Sequence, residues 1–328
     1  MIVVHRYSNQ YRPKWDQFIA RSNNGTLFHY RDFLIYHLDR TFIDHSLIFT
    51  SKSGIIAVFP AAEVIDGEDR VLYSHPGASF GGFITGHLRY SETCRILDAF
   101  GEYCKNLKFN RTFFIQPPLM YFQRFDETLH YSLNWYGYQV TERYISSIIR
   151  LDHTAEEIIL NACHLKNRTF GFYEKLQSAH QVRFEWTNDF DSFYPILLKN
   201  KKRHRSVPTH SLAELFRLDE LLPGKLHLLL VYSRDQLIGG TLSLLANDRT
   251  GIIFYNMIDY RFRAYHPAEL QIFETIRWAK AQGLLYLDFG VSHDPKAEDP
   301  LSPVPSLIRF KEEFGSAGLI RRVYEKQF

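Results

Sequence analysis

The sequence predicts an α+β protein of two similar domains in tandem, each a mixed, mostly antiparallel sheet flanked by helices. Three observations lead there. The chain has 328 residues, and at about 150 residues per domain that length favours two domains over one. In the second half, three apolar, β-rich runs within 226–259 are separated by the polar turn clusters Ser233-Arg234-Asp235 and Ala246-Asn247-Asp248-Arg249, then followed by a helical pattern and another apolar run. The first half repeats this order about 175 residues earlier, and internal repetition constrains architecture more than any single element does.

In chain order, the first-half meander comprises 46–51, 54–65 and 70–75, turning at Ser51-Lys52-Ser53-Gly54 and at Asp66-Gly67-Glu68-Asp69. A glycine-rich loop, 76–86, comes next. Ser91 is read as the cap of a helix running to about residue 107, and 111–116 as a strand ending at Pro117-Pro118. The segment 137–151 reads as a long strand. Thr154 with Glu157, and later Ser211 with Glu214, form capping-box patterns that open helices, the first carrying Ile158, Ala162 and Leu165. After the second meander and a loop with Arg261, Arg263, His266 and Pro267, the segment 268–282 places Ile272, Ile276 and Ala279 at helical spacing, with Phe273 widening the face. Gly283 stops that helix, and 284–289 is a buried strand. The expected domains are 1–150 and 151–328, with the C-terminal tail able to pack back on the first.

Composition narrows the function. Lys and Arg number 39 against 36 Asp and Glu, and a pI near 8.6 falls short of a dedicated nucleic-acid binder, so DNA is not an expected partner. No apolar run approaches the roughly 18 to 20 residues of a membrane helix, and MIVVHRYSNQ lacks a secretory h-region, so the expected address is the cytoplasm with no membrane span. Three cysteines without a CxxC spacing, and 15 scattered histidines, indicate neither a disulfide framework nor a metal site. P-loop, dinucleotide and zincin motifs are absent from the sequence.

Several residues nonetheless suggest chemistry. Gly77-Ala78-Ser79-Phe80-Gly81 matches G-x-S-x-G, but a nucleophile elbow runs straight into a helix, whereas Gly82-Phe83-Ile84-Thr85-Gly86 is β-like. A serine hydrolase is therefore a distant reading. The same loop could bring backbone amides to phosphate or carbonyl oxygens, making Ser74, His75, Gly77 and Ser79 candidate substrate-binding residues; a plain turn is equally economical. Lys199, Lys201, Lys202, Arg203 and Arg205 form the densest basic cluster, with Lys166 and Arg168 upstream. Such a run is either a solvated helix end or a phosphate patch for a nucleotide-linked substrate or a tRNA acceptor stem, with Lys166, Arg168, Lys202 and Arg205 as the candidates. Asp288, at the end of a buried strand, would emerge at a sheet edge where clefts lie. Lys311, on its own, reads as a surface lysine beside Glu312 and Glu313.

Taken together these residues resemble the FemABX family of aminoacyl and peptidyl transferases and its FemAB-like relatives, which are built from two GNAT-type acyltransferase domains. In the first half the resemblance rests on 24–29 (NGTLFH), on Phe59-Pro60 and on 74–83 (SHPGASFGGF); in the second, on Gly239-Gly240, 279–283 (AKAQG), 286–290 (YLDFG) and above all 310–315 (FKEEFG). The family implies transfer of an acyl or aminoacyl group from an activated ester or thioester to an amine such as a cell-wall precursor or metabolite. Lys311 matches the lysine of the family's FK motif and is expected to stabilise the oxyanion, with Asp288 or Tyr255 orienting the amine or relaying its proton. No tightly bound cofactor is expected, and the donor is either aminoacyl-tRNA or acyl-CoA. The acceptor would be a small-molecule or nucleotide-linked amine. One departure stands out: GNAT enzymes cradle the coenzyme A pyrophosphate with a glycine-rich loop, but 261–268 reads RFRAYHPA, leaving Arg261 and Arg263 as the phosphate candidates. A non-catalytic binding or scaffold protein of the same fold is the alternative.

Overall fold

The computed structural model describes residues 2–328, which divide into two units: one runs to Tyr144 and takes back Ile320–Phe328, the other is Ile145–Leu319. Unit 1 contains β1 (Val3–Arg6), α1 (Arg12–Arg21), α2 (Arg31–Leu34), β2 (Ile43–Asp44), β3 (Leu47–Ser51), β4 (Gly54–Phe59), β5 (Ala62–Asp66), β6 (Asp69–Ser74), β7 (Ile84–Thr85), α3 (Tyr90–Asn106), β8 (Arg111–Ile115), α4 (Thr128–Trp135) and the start of β9 (Gln139–Arg150). Unit 2 holds the rest of β9, then α5 (Ala155–Leu165), α6 (Phe170–Ala179), β10 (Val182–Thr187), α7 (Phe190–Arg203), α8 (Leu212–Leu221), β11 (Leu226–Ser233), β12 (Gln236–Leu245), β13 (Thr250–Ile258), α9 (Pro267–Ala281), β14 (Tyr286–Val291), α10 (Pro305–Glu312) and the first residues of β15 (Ala317–Gln327).

In unit 1, β1-β3-β4-β7 form one antiparallel sheet, and β2-β5-β6-β8 with the end of β15 form a second, in which only β6 and β8 run parallel. The expected single strand over 54–65 is two strands in two sheets. Pro60 has no N–H to give to a ladder, so the chain turns there; Ala61 donates to Ser46 Oγ instead, β4 pairs with β3, and β5 pairs with β6. Ser91 is not the helix cap: Arg89 takes that position, its N–H received by the Glu92 carboxylate at 2.8 Å, and Ser91 lies inside the first turn.

In unit 2 the sheet order is β10-β11-β12-β13-β14-β9, antiparallel throughout except for β13 and β14. Both expected capping boxes form, with Glu157 N–H donating to Thr154 Oγ1 and Glu214 N–H to Ser211 Oγ. Ile272, Phe273, Ile276 and Ala279 of α9 are fully buried in a core that also takes in Leu229, Val231 and Leu287. Successive residues of a strand point to opposite faces, and Gly239-Gly240 shows which helix covers which face. A Cβ on Gly239 would meet Gln271 of α9 at 2.1 Å, and one on Gly240 would meet Phe193 of α7 at 2.8 Å. At these two positions the helices sit close because neither glycine puts a side chain beneath them. β14 begins at Tyr286 rather than 284, since the Leu284 N–H closes the helix end by donating to Ala279 O.

Candidate active site

β13 and β14 are paired only from Thr250↔Tyr286 to Ile252↔Asp288. Among the described residues β13 continues to Ile258 with no strand paired on that side, so the two strands part and leave a backbone edge open to hydrogen bonding. Each strand becomes irregular just where pairing stops. On β13, Tyr255 faces Leu242 and Ile253 faces Ser243, so Phe254 is an extra residue. On β14, Asp288 faces Ile148 and Val291 faces Ser146, so Phe289 and Gly290 stand opposite one residue; Gly290 has φ +69°, the left-handed region that favours glycine.

Lys311 and Asp288 meet at the β14 bulge. Lys311 is 4% exposed, and its ammonium donates to Gly290 O (2.8 Å), Val291 O (3.0 Å) and Ser292 Oγ (2.7 Å). All three N–H groups are thus committed to residues 290–292, two to carbonyls and one to a hydroxyl. Burial pushes its pKa down to about 8, with the nearby Asp288 charge acting in the opposite direction. Asp288 is buried and accepts from Ser146 Oγ at 3.0 Å and from the Gly290 N–H at 2.6 Å. Lys311 is therefore not paired with a neighbouring surface glutamate: Glu313 is taken by Lys166 at 2.7 Å.

Tyr255 belongs to the other wall. Its ring faces α7, and its hydroxyl accepts the Thr209 N–H at 3.1 Å and lies 3.3 Å from His210 Nδ1, fastening the 204–211 linker between α7 and α8. The same linker is tied to the loop after β14, because Lys296 Nζ donates to Arg205 O. Asn256, facing the other way, accepts from Thr241 Oγ1 and from Gln271 Nε2 under α9.

The basic candidates separate. Lys166 is buried against Glu313 and lies 4.1 Å from the centre of the Phe314 ring, which anchors the end of α10, and Arg168 lies over Phe172. Lys202 and Arg205 are exposed at the end of α7. Arg261 is exposed and held by Asp259 of its own turn, with its Nη2 at 2.6 Å from the carboxylate. Arg263 is exposed in the 3-10 turn Tyr260–Tyr265 that occupies the place of a glycine-rich pyrophosphate loop.

The candidates of the glycine-rich loop lie in unit 1, where Ser74, His75 and Gly77 use polar atoms internally. Ser74 is fully buried, donating from Oγ to Pro60 O and accepting the Gly82 N–H at 2.8 Å; His75 Nδ1 accepts the Gly77 N–H at 3.1 Å. Ser79 Oγ makes no hydrogen bond among the described residues, and the loop leads into the two-residue β7 rather than into a helix. Residues that sequence reasoning missed include Ser146, Ser292 and Asn200, and the sequence marks Lys201 only as one member of the basic run. A signal existed for the first: Ser146-Ser147 interrupts the otherwise apolar end of β9, yet both are buried.

Residues 169–298 match the family model described as Acetyltransferase (GNAT) domain. No curated protein matches the sequence. Among solved structures the chain is similar to FemX (13% identity, 99% of this chain and 97% of that one, TM-score 0.71). It is also similar to a conserved protein of unknown function from Bacteroides thetaiotaomicron VPI-5482 (11%, 99% and 99%, TM-score 0.60). A third likeness is to a tandem GNAT protein from the clavulanic acid biosynthesis pathway (11%, 100% and 98%, TM-score 0.54). At such identities the likeness is one of fold. Among the described residues no helix is long and apolar enough to cross a membrane. With a matched GNAT domain in its second unit, the chain has the fold of FemX along nearly its whole length.

Proposed function

We propose that the protein is an N-acyltransferase that holds an activated acyl or aminoacyl donor along the open edge of β13 and transfers the acyl group to an amine. The observation that carries this reading is the parting of β13 and β14 after three paired residues, with a bulge in each strand at that point. An extended donor can add to a free strand edge by backbone hydrogen bonds, and β13 amides beyond the bulge can receive the oxyanion. In the reaction the amine nitrogen forms a C–N bond to the carbonyl carbon. The C–S or C–O bond of the donor breaks, and the proton lost by the amine ends on the departing thiolate or alkoxide. Holding both partners in register supplies most of the advantage.

In this reading Lys311 acts by position. Two of its donors fix the carbonyls of Gly290 and Val291 and the third holds the Ser292 hydroxyl, while Asp288 fixes the amide of the same turn, so the pair shapes the wall that faces β13. Tyr255 holds the linker over the opening and, with Asp288, remains the candidate for orienting the amine. Lys202, Arg205 and Arg263 are the exposed cations left to meet donor phosphates, whether of acyl-CoA or of aminoacyl-tRNA. A cell-wall precursor or another metabolite amine is the acceptor class, and the cytoplasm the setting.

The test is to incubate the purified protein with acyl-CoA, charged tRNA and candidate amines and to follow product mass. A new amide with either donor supports the reading. No product, and no shift of the melting midpoint by either donor, favours a non-catalytic binding protein; a donor at about 100 times its Kd would add roughly 2.7 kcal/mol.

A further inference from the structure

The basic run at the end of α7 is not one uniform surface. Lys199, Lys202, Arg203 and Arg205 are exposed; Arg203 lies over the Tyr260 ring at 4.2 Å, and Arg205 gives its carbonyl to Lys296. Lys201 alone turns inward. It is half-buried, its Nζ lies 5.3 Å from the centre of the Tyr255 ring, and it makes no side-chain hydrogen bond or ion pair among the described residues. Withdrawal from water lowers its pKa below the ordinary lysine value.

Its surroundings are built rather than incidental. Asn200, the preceding residue, is buried and donates to Ile258 O at 2.7 Å, which ties α7 to the far end of β13 beyond its last pairing with β14. Past α7, the 204–211 linker is fastened to β13 through Tyr255 and to the loop after β14 through Lys296. Lys201 thus sits where the linker and β13 come together, beside the part of β13 that runs on beyond its pairing with β14. An ammonium drawn half out of water without a counter-charge is disfavoured, and an arriving anion relieves that cost, whereas a fully solvated lysine gains little from the same partner.

We infer that Lys201 is the anion-recognition residue beside this part of β13, and that the small molecule it admits carries a carboxylate or a phosphate ester close to its reacting group. The second clause rests on the acyl-transfer reading; the first does not. Phosphate ester and carboxylate share the same chemistry toward an ammonium, and probes can separate them.

The experiment titrates inorganic phosphate and, separately, acetate into the full chain, with ionic strength held constant by chloride, reading the melting midpoint and the heat of binding. Wild type, Lys201→Arg and Lys199→Met should bind at least one of the anions, and Lys201→Met should bind it about tenfold or more weakly. Preference for phosphate marks a phosphate ester, and preference for acetate a carboxylate. Lys201→Gln replaces Lys201→Met if the latter does not fold. Equal binding by the Lys201→Met protein, or no binding of either anion by wild type, overturns the inference. Binding that depends on Lys201 without any acyl transfer would overturn the transfer reading alone. Transfer with KM unchanged in Lys201→Met for every anionic amine and donor that is a substrate would overturn the recognition role alone.

Discussion

Each unit contains one parallel strand pair joined through a helix: β6, α3 and β8 in unit 1, β13, α9 and β14 in unit 2. In unit 1 the pair stays zipped to the last residue of β6, Ser74↔Phe114, and the chain that follows folds back over both strand ends. Gly81 N–H donates to Ile115 O, Gly82 N–H to Ser74 Oγ, and Phe83 exchanges hydrogen bonds with the Gln116 amide on both its N–H and its C=O. In unit 2 the pair opens after Ile252, and the segment after β13 turns away as a 3-10 helix. The same arrangement is thus closed in one unit by its own backbone and left open in the other. The glycines of the first loop fit this role: a Cβ on Gly81 would meet Ser74 O at 2.4 Å, so their smallness admits the protein's own chain.

The largest expected effect tests what keeps the open edge in shape. Lys311→Met leaves two carbonyls and a hydroxyl without their donor, and transfer should fall about a hundredfold, as for a small misplacement of the wall that positions the reactants. The pH dependence separates position from charge. Above pH 8 the neutral amine can still donate twice and can accept from the Ser292 hydroxyl, so the bulge stays satisfied. The ratio of wild-type to Lys311→Met kcat/KM should therefore stay level from pH 7 to 9.5; a ratio that collapses above pH 8 would mean that the ammonium charge itself serves the oxyanion.

Stability should move with pH in the same sense as for a paired carboxylate, whose folded pKa is also depressed, and opposite to a lysine whose pKa is raised by a partner. The folded pKa of Lys311, about 8, lies below the ordinary 10.5, so between these values the unfolded chain holds the extra proton. This group's contribution to stability then rises with pH from about 8 to 10.5. The difference in melting midpoint between wild type and Lys311→Met should widen in favour of wild type across that window.

On the closed edge, Gly81→Ala forces a Cβ into the Ser74 carbonyl and should cost about 3 kcal/mol in denaturant unfolding. Ser74→Ala strips the Gly82 N–H of its buried acceptor and should cost about 2 kcal/mol. If either variant stays as stable as wild type, the loop is not a plug, and a ligand-binding role for Ser74, His75, Gly77 and Ser79 regains ground. The smallest effect is expected of Tyr255→Phe, about 1 kcal/mol, with faster hydrogen exchange confined to the 204–211 linker.

Much of this frame was legible in the sequence. The meander over 226–259, the α9 stripe of Ile272, Ile276 and Ala279, the stop at Gly283 and both capping boxes depend on contacts within a few residues, which local patterning reports. The break at Pro60 could have been read from the missing N–H. The site was less legible. The 310–315 motif singled out Lys311, but no pattern could say that its ammonium would reach back about 20 residues to the carbonyls of a bulge. Nor could the run 199–205 show which of its cations turns inward, since that depends on where α7 lies on the sheet.

By itself, then, the sequence determined the two meanders, the helix and strand that follow each of them and the two capping boxes, because hydrophobic period, turn residues and caps act over short stretches of chain. Tertiary structure alone decided at which residue β13 and β14 would part, what Lys311 would hold and which lysine would lose its water. Those outcomes depend on pairing registers and burial among residues far apart in the chain, where one extra residue in a strand redirects every group that follows it.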